Sequence, residues 1–126
     1  MALKDVYTAE MHATLQVKDL EEAKKFYQDV LELTLVDDIP DFGWASVQSK
    51  LEGAKIGLSL PQDGNVVVSN VVNLHVSDLE KAKSALDGKG VTTGDMIDFP
   101  NMISMFSIKD PTGNTITFIG APRKTE

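Results

Sequence analysis

No cysteine occurs anywhere in the 126 residues. That absence excludes disulfides, a thiol nucleophile and thiolate metal sites, and it leaves the redox compartment open. Basic side chains are the minority, 12 against 19 acidic ones, for a formal net charge of -7. Nucleic acid and anionic membrane surfaces both require a basic patch, so the balance argues against them as partners. Long apolar runs are missing too. Nothing approaches the ~18 consecutive apolar residues of a membrane span, and the N-terminus lacks the apolar core of a signal peptide. The expectation is a soluble cytoplasmic protein. No Gly-rich phosphate loop, nucleophile elbow or paired-carboxylate arrangement is present.

What the chain does contain is one stretch used twice. Val17-Lys18-Asp19-Leu20-Glu21-Glu22-Ala23-Lys24 returns, 59 positions on, as Val76-Ser77-Asp78-Leu79-Glu80-Lys81-Ala82-Lys83. Both copies follow an alternating apolar run and open a helical pattern. Two copies are too few for a solenoid, so the reading is a duplicated unit within a single domain spanning residues 1–126.

Taken in order, residues 10–17 alternate. Ala13, Leu15 and Val17 share one face, and His12, Thr14 and Gln16 the other, which predicts a half-buried strand. Asp19 is a good helix N-cap with Glu22 as its capping-box partner, and Leu20, Ala23, Phe26, Tyr27, Val30 and Leu31 extend a helix to about residue 33. Strands are expected over 33–38, 44–49 and 55–60, separated by turns at 39–43 and 52–53. Residues 61–65 read as a short linker. The order then repeats. A strand over 70–76 places Val72, Leu74 and Val76 on one face and Val71, Asn73 and His75 on the other. Asp78 caps a helix carrying Leu79, Ala82 and Leu86, and Gly88 and Gly90 stop it. Strands over 96–99, 102–108 and 115–119 follow, the last after the turn Asp110-Pro111-Thr112-Gly113-Asn114. The tail, 121–126, reads as frayed. The expected architecture is α+β, two β-α-β-β-β units at about 10–60 and 66–120.

Two such units, the paired Val-x-Asp-Leu helix openings and Asp110-Pro111-Thr112-Gly113-Asn114 before the final strand together resemble the vicinal oxygen chelate superfamily of glyoxalase I, extradiol dioxygenases and bleomycin-resistance proteins. The resemblance covers residues 10–120. It implies a curled mixed sheet, a cup, with helices outside. It also implies four metal-ligand positions, on the first and last strand of each unit, held by His, Gln or Glu in the metal-dependent relatives. Here those positions fall on His12, Gly57, Val71 and Thr117. His12 is the sole family-matching donor; Val71 cannot bind a metal, and a neutral Thr hydroxyl is a poor donor for such ions. His75 shares the cup face, but its repeat partner is Gln16 rather than His12, which sets it about 13 Å further along its strand.

The resemblance therefore implies a small-molecule binder without the usual metal. Its ligand would lie in a cup lined by His12, Thr14, Trp44, Ser59, Asn73, His75 and Thr117, in a chain that relatives suggest is a homodimer. Gln16 and Thr115 belong to the same face, and Phe42, Phe99 and Met105 are further candidates for its walls. The alternative is a lyase, isomerase or dioxygenase using one divalent metal ion at His12. A third reading is a degenerate domain acting mainly through its dimer. Blander readings stand beside these: Thr14, Ser59 and Thr115 suit a wet strand face, Trp44 suits a core or an interface, Met96, Met102 and Met105 suit packing, and His12 serves equally as a neutral hydrogen-bonding group, a general base or a plain surface histidine.

Overall fold

The computed structural model describes residues 2–123. Its elements run β1 (Met11–Gln16), α1 (Leu20–Lys25) continued by a π-helical turn (Phe26–Val30), β2 (Thr34–Ile39), β3 (Trp44–Gln48), β4 (Ala54–Ser59), β5 (Val72–His75), α2 (Leu79–Gly88), β6 (Ile97–Phe99), β7 (Ile103–Lys109) and β8 (Thr115–Gly120). Each half builds its own open four-stranded mixed sheet, in the order β1-β4-β3-β2 and β5-β8-β7-β6. The first strand of each half pairs parallel with the last, and the remaining pairs are antiparallel. Parallel pairing needs a long crossover, which the helix and the two intervening strands supply.

The alternation places the core. Leu15 and Val17 are buried while His12 and Thr14 are exposed; in the second half Val72 is buried while Asn73 and His75 are exposed. The apolar faces of both sheets and of both helices contribute to one hydrophobic cluster, with Tyr27, Leu58, Phe106 and Ile116 among its members. Burying each such side chain contributes about 1.5–3 kcal/mol. Asp19 and Asp78 cap their helices as the pattern requires, each Oδ1 accepting a backbone N–H at 3.0 Å, from Glu22 and Lys81.

Three expectations are corrected. The first helix does not run regularly to 33. It widens after Lys25, where Leu31 N–H reaches Phe26 O, and closes with Leu33 N–H on Tyr27 O and Glu32 in the left-handed region at φ 57°. An apolar period of three to four residues does not distinguish a regular turn from one widened at its end. The carbonyls left free there find a donor in the other half of the chain: Lys89 Nζ donates to Asp29 O (3.1 Å), Val30 O (2.8 Å) and the Glu32 carboxylate (2.8 Å). Helix C-termini require such partners. Second, the connection between the halves exceeds 61–65, because β5 starts only at Val72. The backbone of 67 and 69 is engaged elsewhere, Val67 N–H on Gln16 Oε1 and Ser69 N–H on Asn114 Oδ1. Third, the tail is tied down as far as Arg123, whose guanidinium donates to both Asp98 oxygens, at 2.9 and 2.6 Å, while Ser104 Oγ donates to Asp98 as well. Residues 124–126 lie outside the described residues.

The halves are joined through the turn at 110–114. Asp110 Oδ1 accepts the backbone N–H groups of Thr112, Gly113 and Asn114, and Oδ2 accepts Tyr27 Oη at 2.8 Å and Asn114 Nδ2 at 3.0 Å. Asn114 Nδ2 also donates to Gln16 O across the halves (2.8 Å), and Thr112 Oγ1 accepts Lys18 N–H. Tyr27, Asp110 and Asn114 are all buried. A buried carboxylate is tolerable only when it is so fully bonded.

Two outcomes are expected. Burial, reinforced by the neighbouring Asp110 carboxylate, pushes the Tyr27 phenol far above its ordinary 10.0. A raised folded-state value gives stability that is complete below about pH 10 and lost as pH rises beyond it. Tyr27→Phe costs about 1–2 kcal/mol at neutral pH, for one buried hydrogen bond, and loses that part of the alkaline slope in pH-dependent urea melts. Conversely, the hydrogen bonds from Arg123 and then Ser104 hold Asp98 at about 2. A depressed carboxylate contributes above its unfolded value, 3.8, and the contribution fades as pH falls toward 2. Arg123→Ala therefore lowers the melting temperature at pH 7 and leaves it little changed near pH 2.

Candidate ligand-binding site

The face of the first sheet turned away from its helix carries the densest group of candidate side chains. His12 and Lys55 are cross-strand partners of β1 and β4, as are Thr14 and Gly57; on β3, Trp44 and Ser46 sit opposite Ser59 and Gly57. The Trp44 indole lies over Gly57. A Cβ at position 57 would overlap its Cη2 and lie 2.9 Å from Cζ3 and 3.1 Å from Thr14 Oγ1. The His12 ring meets the indole edge to face, centroids 5.4 Å apart. A side chain at position 57 would therefore have to displace the indole, and only glycine lets the ring approach β4 this closely.

Three further residues complete the group, and the sequence reading passed over them. Lys55 Nζ lies 3.3 Å from Asp37 Oδ2, and Ser46 Oγ donates to the same carboxylate at 2.6 Å. The Ser46 hydroxyl and then the Lys55 ammonium hold the Asp37 carboxyl below its ordinary range, with a smaller contribution from His12. The signal for Lys55 was present: it lies two residues before Gly57, and hence on the same strand face. Asp37 was not legible, because a bulge between Leu35 and Asp37 shifts the register of β2.

On the second sheet Asn73 and Thr117 are direct partners, and the Thr117 hydroxyl is 2.9 Å from Ser107 Oγ. Asn73 and His75 are exposed, and neither has a side-chain hydrogen bond among the described residues. Ser59 makes only a long contact, 3.4 Å, to Leu60 O. The structure therefore brings His12, Thr14 and Trp44 together, brings Asn73 and Thr117 together, and among the described residues shows no side-chain hydrogen bond between the two groups. Of the candidate wall residues, Phe42 is 83 % exposed on the turn before β3, Phe99 is exposed on β6, and Met105 is half-buried on β7. Met96 packs on the core as expected, whereas Met102 does not and is exposed on the β6–β7 turn. Gln16 is occupied by Val67 N–H and is not a free cup residue.

The residues present do not fit the four-donor metal site that the fold resemblance implies. His12 is one donor. Position 57 has no side chain, Val71 is aliphatic, and Thr117 offers a neutral hydroxyl already engaged with Ser107. Beside His12 stands the Lys55 ammonium, and the nearby Asp37 carboxylate is already engaged by Lys55 and Ser46. No group of three or more His, Cys, Asp or Glu side chains able to hold a metal ion occurs among the described residues.

Two open grooves border this face. One, of about 530 Å³, is lined by Val36, Gln48, Lys55 and the residues before β1. The other, of about 420 Å³, lies between β1, β4 and β5 and includes Lys50, Lys55, Asn73 and His75. Both fall in the size range of small-molecule sites, ~300–1,000 Å³.

Gly57→Ala is expected to displace the indole and with it the His12 contact. Overpacking of this kind costs about 1–3 kcal/mol, and because Trp44 is the sole tryptophan, its fluorescence maximum and near-UV circular dichroism report the displacement directly. An unchanged spectrum would contradict the packing described.

The model of the Glyoxalase/Bleomycin resistance protein/Dioxygenase superfamily matches residues 11–118. No curated protein matches the chain. Among solved structures, a lactoylglutathione lyase from Agrobacterium tumefaciens is 21% identical, covering 91% of this chain and 95% of its own, with a TM-score of 0.77. A superfamily member from Sphaerobacter thermophilus is 24% identical over 90% and 98%, TM-score 0.79. TnmS3, an antibiotic binding protein from Streptomyces, is 22% identical over 92% and 98%, TM-score 0.75. At these identities the likeness is one of fold.

Proposed function

The chain belongs to the Glyoxalase/Bleomycin resistance protein/Dioxygenase superfamily, and we propose that within it this protein is a cytoplasmic small-molecule binder that works without the metal ion. The observation that carries the reading is the substitution of the metal position on β4. Where a ligating side chain would project, Gly57 admits the Trp44 ring, and Lys55, paired with Asp37, stands beside His12. A flat aromatic surface flanked by a histidine, a lysine and hydroxyl groups suits a planar ligand bearing carbonyl or hydroxyl oxygens. Thr14 and Ser59 would border that surface. Asn73, His75 and Thr117 would complete the cup from the second sheet.

A homodimer forms part of the same proposal. Phe42, Ile97, Phe99 and Met102 are exposed, an apolar complement that a second copy would cover while bringing sheet faces of two chains together. That an antibiotic binding protein shares the fold supports the reading by analogy.

The deciding experiment is metal analysis of untagged protein, followed by melting with and without EDTA and then against a library of planar oxygenated compounds. The expected result is no stoichiometric divalent ion, indifference to chelator, and stabilisation by library members that disappears in Trp44→Ala. A ligand at 100 times its Kd contributes about 2.7 kcal/mol. One zinc, nickel, iron or manganese per chain, with a midpoint lowered by EDTA, would instead establish the alternative, a metal-dependent lyase, isomerase or dioxygenase. Sedimentation of the same samples tests the dimer.

A further inference from the structure

The groove between β1, β4 and β5 has a structural origin that indicates its ligand. The two sheets share one pairing register, since Ile116 stands to Val72 as Ile56 stands to Ala13. By that correspondence Asp110, Gly113 and Asn114 of the second half match Lys50, Gly53 and Ala54 of the first, and the 59-residue offset matches Tyr27 with Leu86. The two glycines agree in conformation, both at positive φ (113° and 84°). The other three matches do not preserve the chemistry. At the first junction Tyr27, Asp110 and Asn114 close the gap between the halves with buried hydrogen bonds. The corresponding residues Leu86, Lys50 and Ala54 cannot form that network, and Lys50 and Ala54 line a groove of about 420 Å³.

The groove's chemistry is unlike that of the rest of the molecule. Its wall is apolar, with Ala13, Ile56, Val72 and Leu74 along the strands. Its polar groups are Lys50, Lys55, Asn73, His75 and Ser49, and no carboxylate lines it, in a chain with 19 of them. Lys50 has no acidic partner within salt-bridge distance among the described residues. By the same correspondence the Lys50 ammonium stands where Asp110 stands in the second half, so this junction offers a cation where its counterpart holds a carboxylate.

We propose that this groove is a second binding site, separate from the His12–Trp44 face, for a small amphipathic carboxylate with an unbranched apolar body. The apolar body lies along Ala13, Ile56, Val72 and Leu74, and the anionic head takes a charge-assisted hydrogen bond from Lys50, with Asn73 and His75 as further polar partners. His12, Trp44 and Thr117 do not line the groove, whereas Lys55, Asn73 and His75 border both sites, so the response of Lys50→Glu and the position of the amide shifts separate this site from the one proposed above.

Titration of the full chain with decanoate by calorimetry tests it, with decanol as the uncharged control and two-dimensional NMR to locate the ligand. The expected result is saturable 1:1 binding of decanoate below its micelle range, with decanol weaker by tenfold or more, the equivalent of about 1.4 kcal/mol for the head group. Lys50→Glu, at an exposed position, is expected to weaken decanoate by at least tenfold while leaving the melting temperature unchanged. Amide shifts should concentrate at residues 50–56 and 71–75. Absence of binding, equal affinity for decanol, indifference to Lys50→Glu, or shifts centred on residues 44–46 would each overturn the proposal.

Discussion

A single buried carboxylate holds the halves of this protein together. Asp110 accepts three backbone N–H groups of its own turn and two side-chain donors from Tyr27 and Asn114. Removing a carboxylate from water is costly, and only a complete set of donors repays it. The turn can therefore take its shape only when Tyr27 is delivered by the first helix and Asn114 is seated against Gln16 O. Each partner comes from a different part of the chain, so the first helix, the end of β1 and the start of β8 are fixed relative to one another by one polar group. The apolar cluster around them is larger in energy but non-directional. It brings the halves together without setting their register.

The same constraint explains why two halves of similar topology leave dissimilar surfaces. A network of this kind is needed once to lock the arrangement. Its counterpart at the other junction has no phenol, carboxylate or amide at the matching positions, and presents a lysine beside an apolar groove. On the outer face of the first sheet a second asymmetry operates. Gly57 lets Trp44 lie against β4, while the partner sheet keeps Thr117 hydrogen-bonded to Ser107 in the corresponding region. The molecule thus presents an aromatic face with a Lys55–Asp37 ion pair on one sheet and a neutral hydroxyl face on the other.

Much of the fold was legible because its signals are local and periodic. The alternation at Ala13, Leu15 and Val17 and at Val72 and Leu74 fixed which strand faces are buried, and Asp19 and Asp78 marked helix starts through side-chain bonds to residues three positions on. The widened turn after Lys25 was not legible, since its stabilisation comes from Lys89, far away in sequence. Nor was the engagement of residues 67 and 69, whose partners Gln16 and Asn114 lie on other elements. Of the candidate site, the side chains on one strand face were found by counting. Lys55, Ser46 and Asp37 were missed because their relation to His12 depends on which strands are neighbours and on a bulge in β2.

The sequence by itself determined the two β-α-β-β-β units, their helix caps, the identity of the buried faces, and the poverty of metal donors at the four family positions, because each of these depends on residue type and on spacing along one segment. Tertiary structure alone decided that Trp44 covers Gly57, that Lys55 stands beside His12, and that one junction between the halves is sealed while the other stays open. Those outcomes depend on strand order and on contacts between residues many positions apart, which no local period encodes.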